Sequence, residues 1–578
     1  MANIDDKEST ESKRRLIERS YPSNDIFKEK GGITSLQFHK DDDQKSHNDS
    51  PDTLSEMSPF KPFRTNCKCS VCFILSFLGL ILGIILLVLL DPLVNNILAQ
   101  KMAIVQNREG RRFWQNPPAT IHRKMYIWHC TNPIAVKNGA IPELVERGPY
   151  VYREEWNRSS ITYNDGLDRL SYIPSTTLYF DRNQSIGPDD EYVSVINVPL
   201  MAMAYEVQFY SKEMQEGINF FIELLETQLF VNVTVKQLME GYTDALIEIA
   251  SKVKPGVLKD DKFGILQARN TSYYQNFTIQ TGINDITQVA KIITFNGVST
   301  LNYWSTPQAN MLNGTDGSLF PPNLKKDKKV YSYSADMCRS YYLSFLRERK
   351  DGYVTLYDYH LSADVFNMSR EENRGFCGHD PCLGDGVLNI STCYLGVWGF
   401  ISSPHFFQAD EKFRQDVHGM QPNKNKHAFI MSFDPVTSVP FDVNVRLQLS
   451  FYMPNIKTLD LLKSVTSVPF DVNVRLQLSF YMPNIKTLDL LKSVKPIIMP
   501  IVWFDDEARL TPKIHSLLSI ILVSLDVASY IKFILPSISL LLVTITSLYI
   551  FFQWRRSRRE LLNSKVPLVN GVNENEGV

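Results

Sequence analysis

The residues best suited to chemistry in this 578-residue chain begin with an acidic triplet. Asp505, Asp506 and Glu507 follow one another in "WFDDEA", and adjacent carboxylates could bind a cation or exchange protons. We favour the more common alternative, a solvated turn or an ion-pairing site. The ten histidines are scattered, and none lies between His129 and His360. The sequence has no Gly-x-Ser-x-Gly elbow, no His-Glu-x-x-His pair and no phosphate-binding P-loop, so we predict no catalytic residues, no metal and no cofactor.

The cysteines are the second set of reactive side chains. Four of the eight lie within 56 residues of one another: Cys338, Cys377, Cys382 and Cys393. Cysteines at such spacings form disulfides or a zinc site, depending on the compartment. His379 stands between Cys377 and Cys382, but no second pair of ligands stands at zinc spacing, so a metal site is disfavoured. Cys130 is left over, and we expect a buried free thiol.

Two apolar runs indicate that the chain crosses a membrane twice. Residues 71–90 carry no charge and match the roughly 20 residues that a helix needs to cross the hydrocarbon core. The second run covers 517–554, but Asp526 and Lys532 interrupt it. We therefore place the second span at 533–552, which has no charge and precedes the basic sequence "RRSRR". Residues 517–532 become an amphipathic lead-in, at the membrane surface or within the folded domain.

The basic residues after the second span predict a cytosolic C-terminus, and two spans place the N-terminus on the same side. The predicted organisation is a disordered cytosolic tail at 1–70, an outside domain at 91–532 and a second cytosolic tail at 553–578. A formal net charge of −1 without a basic excess argues against nucleic acid as a partner.

The predicted compartment decides the chemistry of the cysteines and asparagines. An oxidising environment favours disulfides among the four clustered cysteines. Eight Asn-x-Ser/Thr acceptors in the outside domain are typical of a glycoprotein: Asn157, Asn183, Asn232, Asn270, Asn276, Asn313, Asn367 and Asn389. Cys67, Cys69 and Cys72 stand at the cytosolic edge of the first span, where they are either palmitoylation sites or a bland set of small residues, with metal binding disfavoured.

The elements that must position these residues follow an α+β pattern. Sequence typical of strands at 111–200 and 275–460 surrounds a helical segment at 205–252. Within that segment, one helix face collects apolar residues at helical spacing: Met214, Ile218, Phe221, Leu225 and Leu229.

A tandem repeat stands near the end of the outside domain. Residues 436–464 and 465–493 are two identical copies of 29 residues. The first copy contains the clearest strand of the chain, in which apolar residues from Val443 to Phe451 alternate with polar ones. We favour a gene-model or assembly duplication over a recent genuine duplication that is tolerated as a surface hairpin.

The sequence resembles the class B scavenger receptors. The resemblance is carried in order by "RRFWQNPP", "NPIAVKNGAIPELVERGPYVYRE", "LMEGYTDAL", "FNGVSTLNYW", "LNISTC", "SSPHFFQAD" and "VKPIIMPIVWFDDEA", and it covers about residues 65–560. It implies an irregular antiparallel β-barrel that carries a helical cap far from the membrane and an apolar tunnel toward the bilayer. The family carries the repeated segment once, which implies that either copy completes the fold.

The resemblance also implies roles for individual residues. By correspondence the cap covers about 205–252 and offers three ligand contacts: Phe220, Phe221 and Leu225. The cysteine spacing looks most like that of the lysosomal branch, which implies two disulfides: Cys338–Cys393 and Cys377–Cys382. The implied ligands are fatty acids, sterols or phospholipids, lipoproteins, or a protein.

Three departures from the family narrow the function. The cap sequence "FIELLETQLF" has Glu223 and Glu226 and no lysine, which argues against anionic particles as ligands. The cap also has no histidine of the kind that serves as a pH sensor in the lysosomal branch. Glu560 adjoins Leu561 instead of standing four residues before it, so the plasma membrane is favoured over the lysosome.

We therefore predict a receptor, not an enzyme, that binds lipids or lipoproteins and passes lipid through a tunnel to the membrane. The alternative is a lysosomal membrane protein that binds a luminal protein cargo. A two-span ligand-gated channel is less favoured because such channels have more cysteines outside the membrane. An ecto-apyrase would need Gly-rich phosphate loops that the sequence lacks. Formation of a homo-oligomer is left open.

Overall fold

The computed structural model describes residues 67–207, 210–253, 261–267, 275–377, 382–393, 399–453 and 488–563. The strands are β1 (Ala119–Cys130), β2 (Leu144–Asn164), β3 (Arg169–Phe180), β4 (Tyr192–Ile196), β5 (Phe230–Thr234), β6 (Phe277–Gln280), β7 (Ile292–Phe295), β8 (Val330–Ser334), β9 (Arg339–Asp351), β10 (Val354–Leu361), β11 (Val387–Asn389), β12 (Gly399–Ser402), β13 (Ile430–Phe433), β14 (Pro440–Met453) and β15 (Ile497–Leu510). The helices are α1 (Cys67–Met102), α2 (Glu109–Gln115), α3 (Pro133–Lys137), α4 (Val198–Val207), α5 (Lys212–Leu224), α6 (Val235–Glu240), α7 (Ala245–Val253), α8 (Lys412–Gln415), α9 (Lys424–His427) and α10 (Pro512–Asn563).

The strands form a nearly closed antiparallel barrel, which confirms the predicted α+β fold class. The order is β7-β6-β3-β2-β1-β15-β14-β13-β10-β9-β8, and β11 and β12 extend the sheet from β14. A short connector joins the two end strands. The Ile292 N–H donates to the Gly314 carbonyl at 3.0 Å, and the Thr315 N–H donates to the Tyr331 carbonyl at 3.2 Å. Such closure satisfies the edge strands, which would otherwise be open to aggregation.

Strands β1 and β15 define the two ends of the barrel. Ala119 pairs with Leu510, and helix α10 begins two residues later at Pro512. Strand β1 then runs about 40 Å away from this end, at about 3.4 Å per residue over its twelve residues. Its far end, with Trp128 and Cys130, packs in the hydrophobic core that contains helices α4 and α6. The helical cap therefore lies at the end of the barrel opposite the long terminal helices.

Helices α1 and α10 are long and apolar enough to cross a membrane, and both are longer than one span. They pack closely at Gly79 and Gly83, which stand at Gly-x-x-x-Gly spacing. A Cβ atom on Gly79 would lie 2.7 Å from the Ser539 hydroxyl oxygen, and one on Gly83 would lie 2.7 Å from the Pro536 Cβ. Glycine is required here because a side chain would force the two helices apart.

The lead-in at 517–532 belongs to the same continuous helix as the second span. Its Leu522 is buried together with Val354, Leu356 and Phe441 at the base of the barrel, whereas Ile520, Val527 and Tyr530 are exposed. The segment therefore contacts the barrel on one side only. Lys532 Nζ contacts Asp91 Oδ1 at 2.6 Å. This ion pair lies where both predicted spans end on the barrel side.

Only one strand of the tandem repeat belongs to the described barrel. Residues 436–453 of copy one include strand β14, which pairs with β13 and β15. From copy two, residues 488–493 are described, and they correspond to a different part of the repeated unit. The sequence of copy two that corresponds to β14, residues 469–482, lies outside the described residues. The redundancy of one copy stays a prediction.

The helical cap is built from α4 to α7, which run from Val198 to Val253. The predicted segment 205–252 starts too late, and it also misses strand β5, which pairs with β4 to form a separate two-stranded sheet. The sequence "FVNVT" of β5 contains the β-branched residues that favour strands, although it stands between helices.

Candidate ligand-binding surface of the cap

Helix α5 presents the most apolar exposed surface of the cap. It begins after Ser211, whose hydroxyl oxygen accepts a hydrogen bond from the Met214 N–H at 3.4 Å. Glu213 in the first turn interacts favourably with the helix dipole. The helix ends at Leu224, and Glu226 adopts a positive φ of 50° just beyond it.

The buried face of α5 is not the one with the most apolar residues. Gln215 and Ile222 are buried against the rest of the cap, and the Gln215 amide donates to the Tyr210 carbonyl at 2.9 Å. The opposite side exposes Phe220 to 61%, Phe221 to 54% and Leu224 to 64%. Full burial of each such side chain is worth about 1.5–3 kcal/mol. An exposed cluster of this kind marks an interaction surface.

Two of the three predicted contact residues, Phe220 and Phe221, belong to this exposed face, and their ring centroids lie 6.1 Å apart. Leu225 caps the helix and is half-buried, whereas Leu224, which was not predicted, is exposed. Leu224 stands four residues after Phe220, a spacing that places both on one side of a helix. This four-residue spacing is the sequence feature that could have identified Leu224 as a contact residue. We define the α5 patch as Met214, Phe220, Phe221 and Leu224.

The charges around the α5 patch are mostly negative. Glu213, Glu216 and Glu223 lie on the helix, and Lys212 pairs with Glu216 at 3.5 Å. A surface that combines apolar side chains with carboxylates favours neutral or zwitterionic apolar ligands over anionic ones.

A contact with the end of the tandem repeat fixes α5 to the barrel. The Asn219 side-chain oxygen accepts a hydrogen bond from the Asp489 N–H at 3.0 Å. Leu488 and Leu491 on either side of Asp489 are buried in the core that includes Ile222. The α5 patch is therefore presented on a supported helix.

The acidic triplet is part of strand β15, so its neighbouring side chains point to opposite faces of the sheet. Each carboxylate has its own basic partner. Asp505 meets Arg446 at 3.1 Å, and Asp506 meets Arg123 at 2.6 Å. Glu507 pairs with Lys124, which helps to lower its pKa although burial alone would raise it. The triplet is an ion-pairing site within a strand, in agreement with the favoured interpretation, and it is not a turn.

A second polar cluster surrounds Trp503 and was not predicted. His405 and His427 stack with ring centroids 4.0 Å apart. His405 Nε2 lies 2.8 Å from the Glu146 carboxylate, which also accepts a hydrogen bond from Trp503 Nε1 at 2.9 Å. Glu146, His405 and His427 are far apart in sequence, so no local spacing could reveal the cluster.

Backbone donors face the Nδ1 atoms of both imidazole rings. The Gln421 N–H donates to His405 Nδ1 at 3.0 Å, and the Asn423 N–H donates to His427 Nδ1 at 2.9 Å. A ring nitrogen that accepts a hydrogen bond carries no proton. Burial, and next the electrostatic effect of the neighbouring His405, lower the pKa of His427 to about 4. Burial alone would raise the pKa of Glu146, but the hydrogen bonds from His405 and Trp503 outweigh it and lower that pKa.

Two disulfides join Cys338 to Cys393 and Cys377 to Cys382, with Cα atoms 6.4 and 5.0 Å apart. These are the pairs that the family resemblance implies. Cys130 is a buried free thiol, as expected, and burial raises its pKa to about 11. Cys72 is an exposed free thiol. The side chains of Cys67 and Cys69 lie outside the described residues.

The predicted glycosylation sites differ in exposure. Asn157, Asn183, Asn232 and Asn276 are exposed, and Asn313, Asn367 and Asn389 are half-buried. Asn270 lies outside the described residues.

A small pocket adjoins the Cys377–Cys382 disulfide, with Asn389 and Phe400 in its wall. Its interior has room for about one water molecule. This pocket is therefore too small to supply the apolar tunnel, which stays a prediction.

Comparison with known proteins gives a family match over most of the chain. The model of the CD36 family matches residues 72–468 and 460–550. The first range ends in copy two of the repeat and the second begins in copy one, which is the result that a single copy in the family model would produce.

Individual relatives come from two groups. Lysosome membrane protein 2 of Mus musculus is 32% identical over 383 residues, which are 66% of this chain and 79% of that protein. Lysosome membrane protein 2 of Homo sapiens is 30% identical over 390 residues, or 67% of this chain and 80% of that protein. Scavenger receptor class B member 1 of Bos taurus is 27% identical over 482 residues, or 82% of this chain and 88% of that protein.

Proposed function

Since the chain belongs to the CD36 family and is a class B scavenger receptor-like membrane protein with two spans, we propose that it binds lipids or lipoproteins at its cap and delivers lipid to the bilayer. The observation that carries this proposal is the exposed α5 patch. It stands at the end of the barrel opposite the spans, where a receptor would meet a particle or carrier from the aqueous phase.

The energetics favour a protein path for this task. Each buried CH₂ group is worth about 0.8 kcal/mol, so a saturated 18-carbon chain loses about 13 kcal/mol when it is fully exposed to water. An apolar path from cap to bilayer removes most of that penalty. Delivery down a concentration gradient then needs no nucleotide, so we assign the protein as a receptor and carrier and not as an enzyme.

The experiment changes the α5 patch alone. We expect Phe221→Glu to reduce cellular uptake of labelled lipid at least tenfold, because the carboxylate removes an apolar contact and adds charge. The matched control is Val298→Glu, which changes an exposed apolar residue near the edge strand β7. Surface expression of both variants is measured by labelling intact cells. Equal uptake by the two variants at equal expression would refute a role for the patch.

The second candidate is a lysosomal membrane protein that binds a luminal protein cargo. The higher identity to lysosome membrane protein 2 favours it, while the greater coverage of scavenger receptor class B member 1 favours the plasma membrane. We propose the plasma membrane, with both termini in the cytosol. Immunofluorescence with lysosomal and surface markers distinguishes the two membranes. Co-localisation with the lysosomal marker alone would contradict the proposed location at the plasma membrane.

We also propose glycans at the exposed acceptors Asn157, Asn183, Asn232 and Asn276, and palmitate on Cys72 beside the first span. Enzymatic removal of N-linked glycans from the mature protein should shift its mass by several glycans. Peptide mapping then gives the occupied positions. Unmodified peptides at all four positions would place this domain in the cytosol and reverse the proposed topology.

A further inference from the structure

A lysine-rich loop joins the barrel beside helix α1. The segment "NLKKDKK" at 323–329 carries four exposed lysines: Lys325, Lys326, Lys328 and Lys329. Lys326 pairs with Glu348 at 2.6 Å. Within the described part of the chain, Lys325, Lys328 and Lys329 form no ion pair.

Hydrogen bonds on both sides hold this loop in place. The Asn323 N–H donates to the Val436 carbonyl at 2.9 Å, and the Leu324 N–H donates to the Pro435 carbonyl at 2.7 Å. The Tyr359 hydroxyl donates to the Lys325 carbonyl at 2.8 Å. The backbone of the loop is therefore anchored to the base of the barrel.

The side-chain amide of Asn323 donates to Asn95 Oδ1 of helix α1 at 3.1 Å. Asn95 stands four residues beyond Asp91, which pairs with Lys532 where both spans end. Four residues of helix rise about 6 Å. The polar layer on each side of the hydrocarbon core is about 5–8 Å thick. The loop therefore begins at the level of the lipid headgroups.

The acidic residues around the loop do not cancel its charge. Asp327 within the loop and Glu348 on β9 face four lysines of the loop. Arg347 and Arg349 on the same strand are engaged by Asp358, and Lys350 adds a further exposed cation. The surface thus keeps a positive excess toward the membrane.

We propose that the 323–329 loop binds anionic phospholipid headgroups of the bilayer in which the spans lie. Each lysine near an anionic membrane surface strengthens the attraction about fivefold, so the proposal requires anionic lipid in the leaflet that faces the barrel. Such contacts would hold the base of the barrel at a fixed height and orientation above the bilayer. This inference stands apart from lipid uptake at the cap, because it concerns lipids that stay in the membrane.

The test compares three forms of the full chain in nanodiscs of phosphatidylcholine with a minor share of phosphatidylserine. The lipids that stay bound on release are counted by native mass spectrometry. We expect the natural chain to be enriched in phosphatidylserine. The triple variant Lys325→Gln/Lys328→Gln/Lys329→Gln should lower that enrichment at least fivefold, and added salt should lower it in the natural chain.

The matched control is Lys212→Gln/Lys236→Gln/Lys252→Gln, which removes the same charge from the exposed surface of the cap. It should keep the phosphatidylserine enrichment. The basic sequence "RRSRR" after the second span adds a background that is the same in all three proteins. Equal enrichment in all three would overturn the proposal.

Two further arms distinguish headgroup binding from capture of free anions and from a role in lipid uptake. Inorganic phosphate should not displace the phosphatidylserine, and displacement would show a site for free anions instead of headgroups. Lipid uptake by the loop variant should match that of the natural chain in cells. Loss of uptake with unchanged phosphatidylserine enrichment would place these lysines in ligand capture and refute the anchoring role.

Discussion

Strand β15 passes through two buried polar clusters that surround their basic side chains differently. Near its end, Arg123 is buried between Glu154 at 2.8 Å and Asp506 at 2.6 Å. Near its middle, Trp503 contacts the cluster in which His405 and His427 accept backbone N–H groups at Nδ1. One cluster is an ion-pair network, and the other is a network of hydrogen-bonding groups around one carboxylate.

The difference follows from the partners available to each cation. Burial alone would lower the pKa of Arg123, but the charges of Asp506 and Glu154 outweigh it and raise that pKa. His427 is buried without a carboxylate in contact, and backbone N–H groups occupy the Nδ1 atoms of both rings. A buried cation keeps its charge where carboxylates surround it, as at Arg123. Burial disfavours the charged form where a backbone N–H group faces the ring, as at His427. Acid should therefore disturb the histidine cluster first.

Breaking the ion-pair network should have the largest effect. Arg123→Met removes the cation that pairs with the buried carboxylate of Glu154, so the free energy of unfolding should fall by about 3–5 kcal/mol. Urea unfolding of the purified full chain, followed by tryptophan fluorescence, measures this. The double variant Arg123→Met/Glu154→Leu should recover part of the loss. A double variant as unstable as the single one would show that packing, and not charge, is responsible.

Acid should weaken the fold through His427. Its folded pKa of about 4 lies below the ordinary value of 6.5, so the unfolded chain binds the proton more tightly. The contribution of neutral His427 to the free energy of unfolding is complete above pH 6.5. It falls by up to about 3 kcal/mol as the pH drops toward 4. Thermal unfolding midpoints across this range measure it. His427→Asn keeps an acceptor for the Asn423 N–H but does not titrate, so its unfolding midpoint should depend less on pH. An unchanged pH dependence would exclude His427 as the cause of the acid sensitivity.

Removing the carboxylate from the histidine cluster should have a smaller effect. Glu146→Gln weakens the charge-assisted hydrogen bonds from His405 and Trp503 but keeps an acceptor oxygen. We expect a loss of about 1 kcal/mol in the free energy of unfolding at neutral pH. The loss should shrink at low pH, because Glu146 in the natural chain is then protonated. A loss that does not change with pH would mean that Glu146 acts through its shape.

The smallest effect should come from the exposed edge of the ion-pair network. Arg509 contacts Glu507 at 2.6 Å, but its side chain is 65% exposed to water. Arg509→Ala should change the free energy of unfolding by less than about 0.5 kcal/mol, and added salt should remove the difference. A loss similar to that of Arg123→Met would show that the network is one unit and not a buried pair with an exposed rim.

The fold class, the two apolar helices and the apolar character of α5 could be predicted from the sequence because each is a local or additive property. The uncharged apolar run at 71–90 predicts a membrane span whatever its position in the chain. The alternation of apolar and polar residues in strand β14 can be recognised without knowing its partner strands. The resemblance to class B scavenger receptors likewise depends on ordered short segments.

Tertiary contacts determine which side of helix α5 is buried. The apolar spacing places Met214 and Phe221 on one helix face but does not say which face is buried. The cap buries Gln215 and Ile222 and leaves Phe220, Phe221 and Leu224 exposed. A helix with apolar residues on more than one side has no unique buried face in sequence. The packing partners on the barrel side, among them Leu488 and Leu491, select it.

The sequence by itself thus determined two apolar runs long enough to span a membrane, the α+β class and the apolar chemistry of the cap. Only the tertiary structure decided which charges are paired and which imidazole rings accept backbone hydrogen bonds. The acidic triplet forms ion pairs with Arg123, Lys124 and Arg446, which lie on neighbouring strands more than fifty residues away in sequence. Strand register brings such groups within about 3 Å, and Coulomb and hydrogen-bond energies depend on that distance and on burial, neither of which spacing along the chain can express.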